Sequence, residues 1–297
     1  MTYLLCRPDD PTQYIGESSP VARSSTKKRP QLGVITRELI KPKEIILNEP
    51  GILVNNGLYG PKCNHCNIFL TKIDSKSTCK QCGQQFCSID CYQEAFDSYH
   101  KALCGKDLSK IMAYVARGIS CSSLLHLVIL RVLAIAIQNN QHPLEVTGVK
   151  YLTIGTNETT SWDIYRSCGF YIELLETLGL CPYRDSAKFD FWVYYTLSNK
   201  LICNIFGEYA ALRKPANGKF HPFTSFLNHS CCPNAVYLQN RHGRMSIVAN
   251  QTIEKGQQVF ISYFNSNLPV EIRQTLLKTT FGFICKCHHC VSQLEKD

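Results

Sequence analysis

A chain of 297 residues with 44% hydrophobic content is long enough to bury a core, and short enough for one elaborated domain or two small ones. The formal charge of +9 comes from dispersed lysines and arginines rather than a basic face, which argues against a generic nucleic-acid binder. The opening MTYLLCRPDDP lacks a secretion-signal core, and the strongest apolar run, Leu124 to Ile137, is broken by His126 and Arg131 and too short to span a bilayer. Without a secretory context, seventeen cysteines point to metal or redox chemistry, because reducing compartments do not sustain a disulfide framework.

Residues 1–30 read as a polar surface segment with a basic cluster at Lys27, Lys28 and Arg29. From Gly33 the text changes to short apolar, β-branched runs: GVIT, EIIL after Lys41-Pro42-Lys43, and ILV after Pro50-Gly51, which predict successive strands. Residues 63–104 form a cysteine-dense module. Beyond it IMAYVARG, SSLLHLVILRVLAIAIQ and SWDIYRSCGFYIELLETLGL have helical length and spacing. After residue 200 the pieces LICNIF, NAVYLQ, MSIVAN and QVFISYF predict strands, with turns at Asn217-Gly218 and His242-Gly243. The simplest account is an α+β protein, one β domain interrupted by two insertions, since neither strand set alone makes a closed sheet.

The module contains four ligand pairs: Cys63 and Cys66, Cys79 and Cys82, Cys87 and Cys91, His100 and Cys104. These are enough for two tetrahedral zinc ions, and a C-x2-C turn places two sulfurs on adjacent corners without strain. The last two pairs are spaced i, i+4 and would each share a face of one helix over SIDCYQEAFDSYHKALC. Spacing alone allows either interleaved or sequential pairing. All four positions on each ion would be filled, so this zinc is structural, supplying on the order of 10 kcal/mol or more of folding free energy per ion. A further set, Cys285, Cys287 and Cys290, needs a fourth ligand, and Cys231 in PFTSFLNHSCCPNA supplies it if the tail folds back. Eleven zinc thiolates and three divalent ions would lower the balance from +9 to +4.

The module resembles a MYND zinc finger at every ligand position, which implies interleaved pairing: Cys63, Cys66, Cys87 and Cys91 on one ion, Cys79, Cys82, His100 and Cys104 on the other. The strings NHSC, KGQQVFISY and GFICKCHHC resemble the C-terminal half of a SET domain, and GVITRELIKPKEIILNEP its N-terminal half. Together they resemble the SET-and-MYND-domain (SMYD-type) family of protein-lysine methyltransferases. The implied organisation is an N-terminal segment and first half of the SET fold over 1–62, the finger over 63–104, a helical insertion over 105–200, the second half over 201–265, and a post-SET zinc tail over 266–297. The family fold is small-stranded and carries a pseudo-knot, a rare exception to unthreaded connections.

The resemblance also implies roles. Leu32, Gly33, Cys203, Asn204, Asn228, His229, Tyr263 and Phe283 match contacts to S-adenosylmethionine, with Tyr263 the catalytic tyrosine and Phe281 beside it in the lysine pocket. Its cofactors are S-adenosylmethionine and three zinc ions, its substrate a lysine of a histone or other protein, and its finger a docking surface for peptide partners. A monomer in nucleus and cytoplasm is expected. Three departures matter: the family's Gly-x-Gly turn is Gln31-Leu32-Gly33 here, a second active-site tyrosine is replaced by Phe281, and the helical-repeat domain of larger members does not follow the zinc tail. The altered 31–33 turn supports a second reading, a SET/MYND interaction scaffold in transcriptional regulation with little or no catalysis.

Overall fold

The computed structural model describes residues 3–7, 10–14, 32–55, 60–71, 75–117, 122–152, 164–209, 215–240 and 242–295. In chain order the strands are β1 (Tyr3–Arg7), β2 (Asp10–Tyr14), β3 (Gly33–Thr36), β4 (Ile45–Glu49), β5 (Ile52–Asn55), β6 (Ile205–Tyr209), β7 (Pro215–Phe220), β8 (Asn228–His229), β9 (Ala235–Gln239), β10 (Met245–Ala249) and β11 (Phe260–Ile261). The principal helices are α1 (Ile89–Ala95), α2 (Ser109–Arg117), α3 (Ser122–Gln138), α4 (Ile164–Leu178), α5 (Phe191–Leu201), α6 (Val270–Leu276) and α7 (His288–Leu294). The chain packs as two units, Met1–Glu49 with Phe223–Asn240 and Met245–Asp297, and Pro50–Pro222 with Arg241–Arg244.

The first unit is built from small sheets. β1 pairs antiparallel with both β2 and β3, so the segment read as polar surface in fact opens with a hairpin; the basic cluster at Lys27 to Arg29 lies outside the described residues. β10 sits between β4 and β9, and β8 runs parallel to β11 with Phe260 opposite Asn228 and Ile261 opposite His229. All four residues of β3 are buried. At its first position a Cβ on Gly33 would overlap Gln258 Nε2 and lie 2.9 Å from Asn228 Nδ2, so glycine answers there to a close approach of side chains.

The second unit is organised around α3, whose residues are apolar on nearly every side and mostly buried, the pattern of a central helix. Its two polar breaks have partners. His126 Nδ1 lies 3.4 Å from the Tyr194 hydroxyl, and the Arg131 guanidinium stacks 3.5 Å above the Tyr99 ring. A sheet in the order β5-β7-β6 packs on this helix. Asn217 and Gly218, which the sequence suggested as a turn, lie inside β7 opposite Asn55 and Val54 of β5. A Cβ on Gly218 would meet Leu124 Cβ at 3.0 Å, so this glycine serves packing against α3. The other expected turn is present, with Gly243 at a φ of 72°. The run LICNIF also divides, Leu201 ending α5 before β6 begins at Ile205. Among the described residues no helix is long and apolar enough to cross a membrane.

Candidate active site and metal centres

Among the described residues three tetrads of soft ligands form: Cys63, Cys66, Cys87 and Cys91; Cys79, Cys82, His100 and Cys104; and Cys231, Cys285, Cys287 and Cys290. The first two pair in the interleaved manner. Within each set the ligand atoms lie within 4.8 Å of one another. Sulfur-sulfur separations are 3.5 Å for Cys66 to Cys87 and for Cys87 to Cys91, 3.7 Å for Cys79 to Cys104 and 3.4 Å for Cys231 to Cys290. Zinc-sulfur bonds of about 2.3 Å give tetrahedral edges of about 3.8 Å, so these sets fit the ion with adjustments of a few tenths of an ångström. Burial pushes the Cys104 thiol up to about 12 and the Cys285 thiol to about 11, with the adjacent sulfurs adding to the rise. A divalent cation among them reverses that preference and favours the thiolates.

The helical ligands of the finger sit differently from the one-face arrangement suggested by spacing. Ser88 caps α1, accepting from the Cys91 amide at 3.2 Å, so Cys87 stands before the helix and Cys91 in its first turn. A π turn over Phe96–His100 then carries His100 inward, and Cys104 has already left the helix with extended backbone. The ligands therefore bracket the helical segment at both ends.

In the first unit the Asn228-His229 segment is held from three directions. Asn228 Nδ2 donates to the Leu32 carbonyl at 3.1 Å, its backbone pairs in β8, and the Ser230 amide donates to Ile261 at 3.0 Å. No partner of Asn228 Oδ1 occurs among the described residues, which leaves an acceptor beside the Leu32-Gly33 backbone. His229 links two features that the sequence treated separately. Its Nδ1 accepts from the Tyr263 amide at 3.0 Å and its Nε2 lies 3.2 Å from Cys231 Sγ. Burial, with the Arg273 charge adding, holds its pKa down to about 4. The imidazole is neutral near pH 7, and with Nδ1 accepting, the proton sits on Nε2 and points at the sulfur. The NHSC turn, with its metal ligand Cys231, and the backbone of Tyr263 are thereby one connected piece.

Tyr263 donates its hydroxyl proton to the Leu227 carbonyl at 2.8 Å. Around it stands an aromatic group: the Phe281 ring centroid is 4.8 Å away, that of Phe283 6.5 Å and that of His229 5.2 Å. Phe281 and Phe283 pack with Cys231, Cys285 and Cys290 in one cluster, so the tail tetrad fixes both aromatics against the tyrosine. Cys203 and Asn204 belong to the second unit, after α5, where Asn204 Nδ2 donates to the Lys200 carbonyl at 2.7 Å. Gln31 lies outside the described residues.

Three contributors escaped the sequence reading. Arg273 reads as a surface residue of an amphipathic helix, yet it is 1% exposed; its guanidinium donates to the Leu268 carbonyl and to Gln293 Oε1, and stands 3.6 Å from Cys290 Sγ, where it offsets thiolate charge. Glu49 is 8% exposed and its carboxylate accepts from the amides of Phe223 and Thr224 and from the Thr224 hydroxyl at 2.6–2.8 Å, tying down the turn that leads to Leu227 and Asn228. Asn234 bridges the strands, donating to the Gln258 carbonyl at 2.9 Å and accepting from the Phe260 amide at 2.8 Å.

This combination of short strands, a parallel β8-β11 pair and a cysteine tail closing on a tyrosine defines a small-sheet protein with a zinc-clasped site. Residues 31–264 match the SET domain family, and the chain belongs to that family. Histone-lysine N-methyltransferase ATXR2 of Arabidopsis thaliana is 44% identical over 75 residues, 24% of this chain and 16% of the relative. N-lysine methyltransferase SMYD2 of Homo sapiens is 27% identical over 248 residues, 79% of this chain and 52% of the relative. The chain thus spans about half the length of human SMYD2 and less of ATXR2. A solved structure of Rubisco LSMT bound to AdoMet overlays with a TM-score of 0.41 at 12% identity, covering 92% of this chain and 54% of that one, too loose a likeness to add to the family assignment.

Proposed function

We propose that this protein transfers a methyl group from S-adenosylmethionine to the side-chain amine of a lysine in a protein substrate. The observation that carries the reading is the Asn228-His229 strand held beside Tyr263 by the tail tetrad, within a chain matched to the SET domain over 31–264. The names of the relatives, N-lysine and histone-lysine methyltransferases, point the same way. The chain fits the cofactor at one testable place: Asn228 Oδ1 and the Leu32-Gly33 backbone offer acceptors suited to an ammonium group, where a Cβ on Gly33 would drive Asn228 aside.

The bound sulfonium supplies an electrophilic methyl carbon, so the protein's work is to present a neutral amine in line with it. Tyr263 commits its proton to Leu227, which leaves the phenolic oxygen as an acceptor that orients an amine N–H. The partly buried Phe281 and Phe283 rings give the amine an apolar setting that disfavours the ammonium form and promotes loss of its proton. The three tetrads are read as structural zinc, two of them in a MYND finger, because each has four filled positions and none left for a water.

A specific observation speaks to the scaffold reading. Gly33, the glycine of the Gly-x-Gly turn that is retained, is a position where a Cβ would meet Gln258 and Asn228; Gln31 lies outside the described residues. Methyl transfer from labelled S-adenosylmethionine to a panel of purified proteins and peptides tests the choice. Incorporation at lysine is the expected result. Cofactor binding without transfer to any member of the panel, or no binding at all, favours the scaffold.

A further inference from the structure

The second unit holds a cavity of about 540 Å³ between the zinc finger and the helical layer, within the range of roughly 300–1,000 Å³ typical of ligand sites. Nothing in methyl transfer uses it. One wall is apolar, with Met112, Leu127 and Leu130, and another carries the second tetrad through Cys82 and His100. Arg131 lines the same space from the middle of α3 and is 8% exposed.

A buried guanidinium normally sits against a carboxylate, since its desolvation is costly otherwise. Here no acidic side chain lies in ion-pair range of it among the described residues. Nη1 and Nη2 both turn to one acceptor, the Asn64 carbonyl, at 3.4 and 3.3 Å, and the flat face rests on Tyr99. The stacked ring fixes the plane of the fork and one neutral oxygen serves two donor nitrogens, so no carboxylate neutralises the charge among the described residues. Asp107, the one acid among the described lining residues, spends its carboxylate on the Ser109 amide at 2.9 Å. Lys106 lines the cavity with an exposed ammonium that has no side-chain partner among the described residues, and Lys62 stands on the wall, held by Asn217 Oδ1 at 2.8 Å.

We propose that this cavity binds an acidic peptide segment, with Arg131 as the partner of a carboxylate side chain and Met112, Leu127 and Leu130 taking an adjacent aliphatic residue. A planar carboxylate matches the fork of a guanidinium bidentately. A phosphate dianion suits the site less well, because the zinc-loaded Cys79, Cys82, His100 and Cys104 set has one net negative charge on the facing wall, and Asp107 adds another. The attraction is therefore local to Arg131 and Lys106 and selects a single charge. This deepens the reading of the finger as a docking module and does not depend on methyl transfer.

The competing account gives Arg131 the task of balancing the thiolates of the adjacent Cys63 set. Methyl-labelled methionine separates the two, because the chain contains only three methionines and two of them, Met112 in the cavity and Met245 in β10 of the other unit, serve as reporter and control. The zinc-loaded full chain is titrated with acetyl-Leu-Glu-Leu-amide, with its Gln counterpart and with its phosphoserine counterpart. The Glu peptide should move the Met112 resonance and leave Met245 still, and the Gln peptide should bind at least tenfold more weakly. Arg131→Gln should abolish the response at unchanged zinc content, and Lys106→Glu, on the exposed rim, should weaken it severalfold. Equal responses to Glu and Gln, a silent Met112, or tighter binding of the phosphoserine peptide each overturn the proposal. If Arg131→Gln loses zinc, Lys106→Glu decides, and unchanged affinity in that variant overturns it too.

Discussion

The finger and the tail use the same ligand chemistry over very different lengths of chain. In the finger, eight ligands fall between Cys63 and Cys104, and each tetrad takes two ligands from loops before α1 and two from around the helical segment. In the tail, Cys231 from the NHSC turn meets Cys285, Cys287 and Cys290 from beyond α6. The local sites substitute for a core that so small a module cannot build, whereas the long-range site joins two distant strings and carries Phe281 and Phe283 onto Tyr263. His229 shows how tight this junction is, since one imidazole touches the turn's own ligand Cys231 and the tyrosine backbone, and its ring lies 6.2 Å from that of Phe283 in the tail.

The largest effect expected from this division is that of removing metal. Purified protein should contain close to three zinc ions per chain, and a strong chelator should unfold the finger and open the tail, with losses on the order of 10 kcal/mol of folding free energy per ion. Elemental analysis that finds about one ion would break the tetrad assignment.

Next in size is Tyr263→Phe, which removes one oriented hydroxyl and its bond to Leu227 but leaves the tail and the Asn228 segment in place. Transfer should fall by roughly 2 to 4 kcal/mol of transition-state stabilisation while cofactor affinity and zinc content hold. Unchanged turnover would remove the tyrosine from the chemistry.

Gly33→Ala probes the first unit without touching metal. Its Cβ must displace Gln258 and press on Asn228, an overpacking cost of about 1 to 3 kcal/mol, and cofactor affinity should drop because the Asn228 bond to Leu32 is disturbed. Calorimetric titration checks it, and wild-type affinity would show that Asn228 is not a cofactor contact.

The smallest change concerns product rather than rate. Phe281 lies 4.8 Å from the Tyr263 ring and leaves room that a tyrosine would fill with a hydroxyl. Wild type should add a second methyl group, and Phe281→Tyr should shift products towards monomethyl-lysine at matched turnover, as read by mass spectrometry. An identical pattern would make Phe281 a packing residue only.

How much of this was legible in the sequence depended on whether a role follows from residue type and spacing. Seven of the twelve ligands announce themselves by C-x2-C and C-x-C-x2-C, four more by i, i+4 spacing and Cys231 by the tail's need of a fourth ligand, and the apolar length of α3 marks a buried helix. What spacing could not give is the path of the backbone between ligands: the π turn and the extended Cys104 depart from the i, i+4 face because the metal geometry and the end of the helix override local periodicity. Asn217-Gly218 carries a turn signal, but tertiary packing against Leu124 makes Gly218 a strand residue. Arg273 and Glu49 were silent because a charged residue in an amphipathic or β-branched run looks solvated until a thiolate or a bare pair of amides is found next to it.

The division between finger and tail is decided by one paired measurement, the affinity of S-adenosylmethionine for Cys285→Ser and for Cys63→Ser, each confirmed folded. Loss of a tail ligand should release Phe283 and slacken the His229 link, weakening binding at least tenfold, whereas the finger variant should stay within a factor of about two of wild type. Equal losses in the two variants would mean that the tail has no privileged hold on the site.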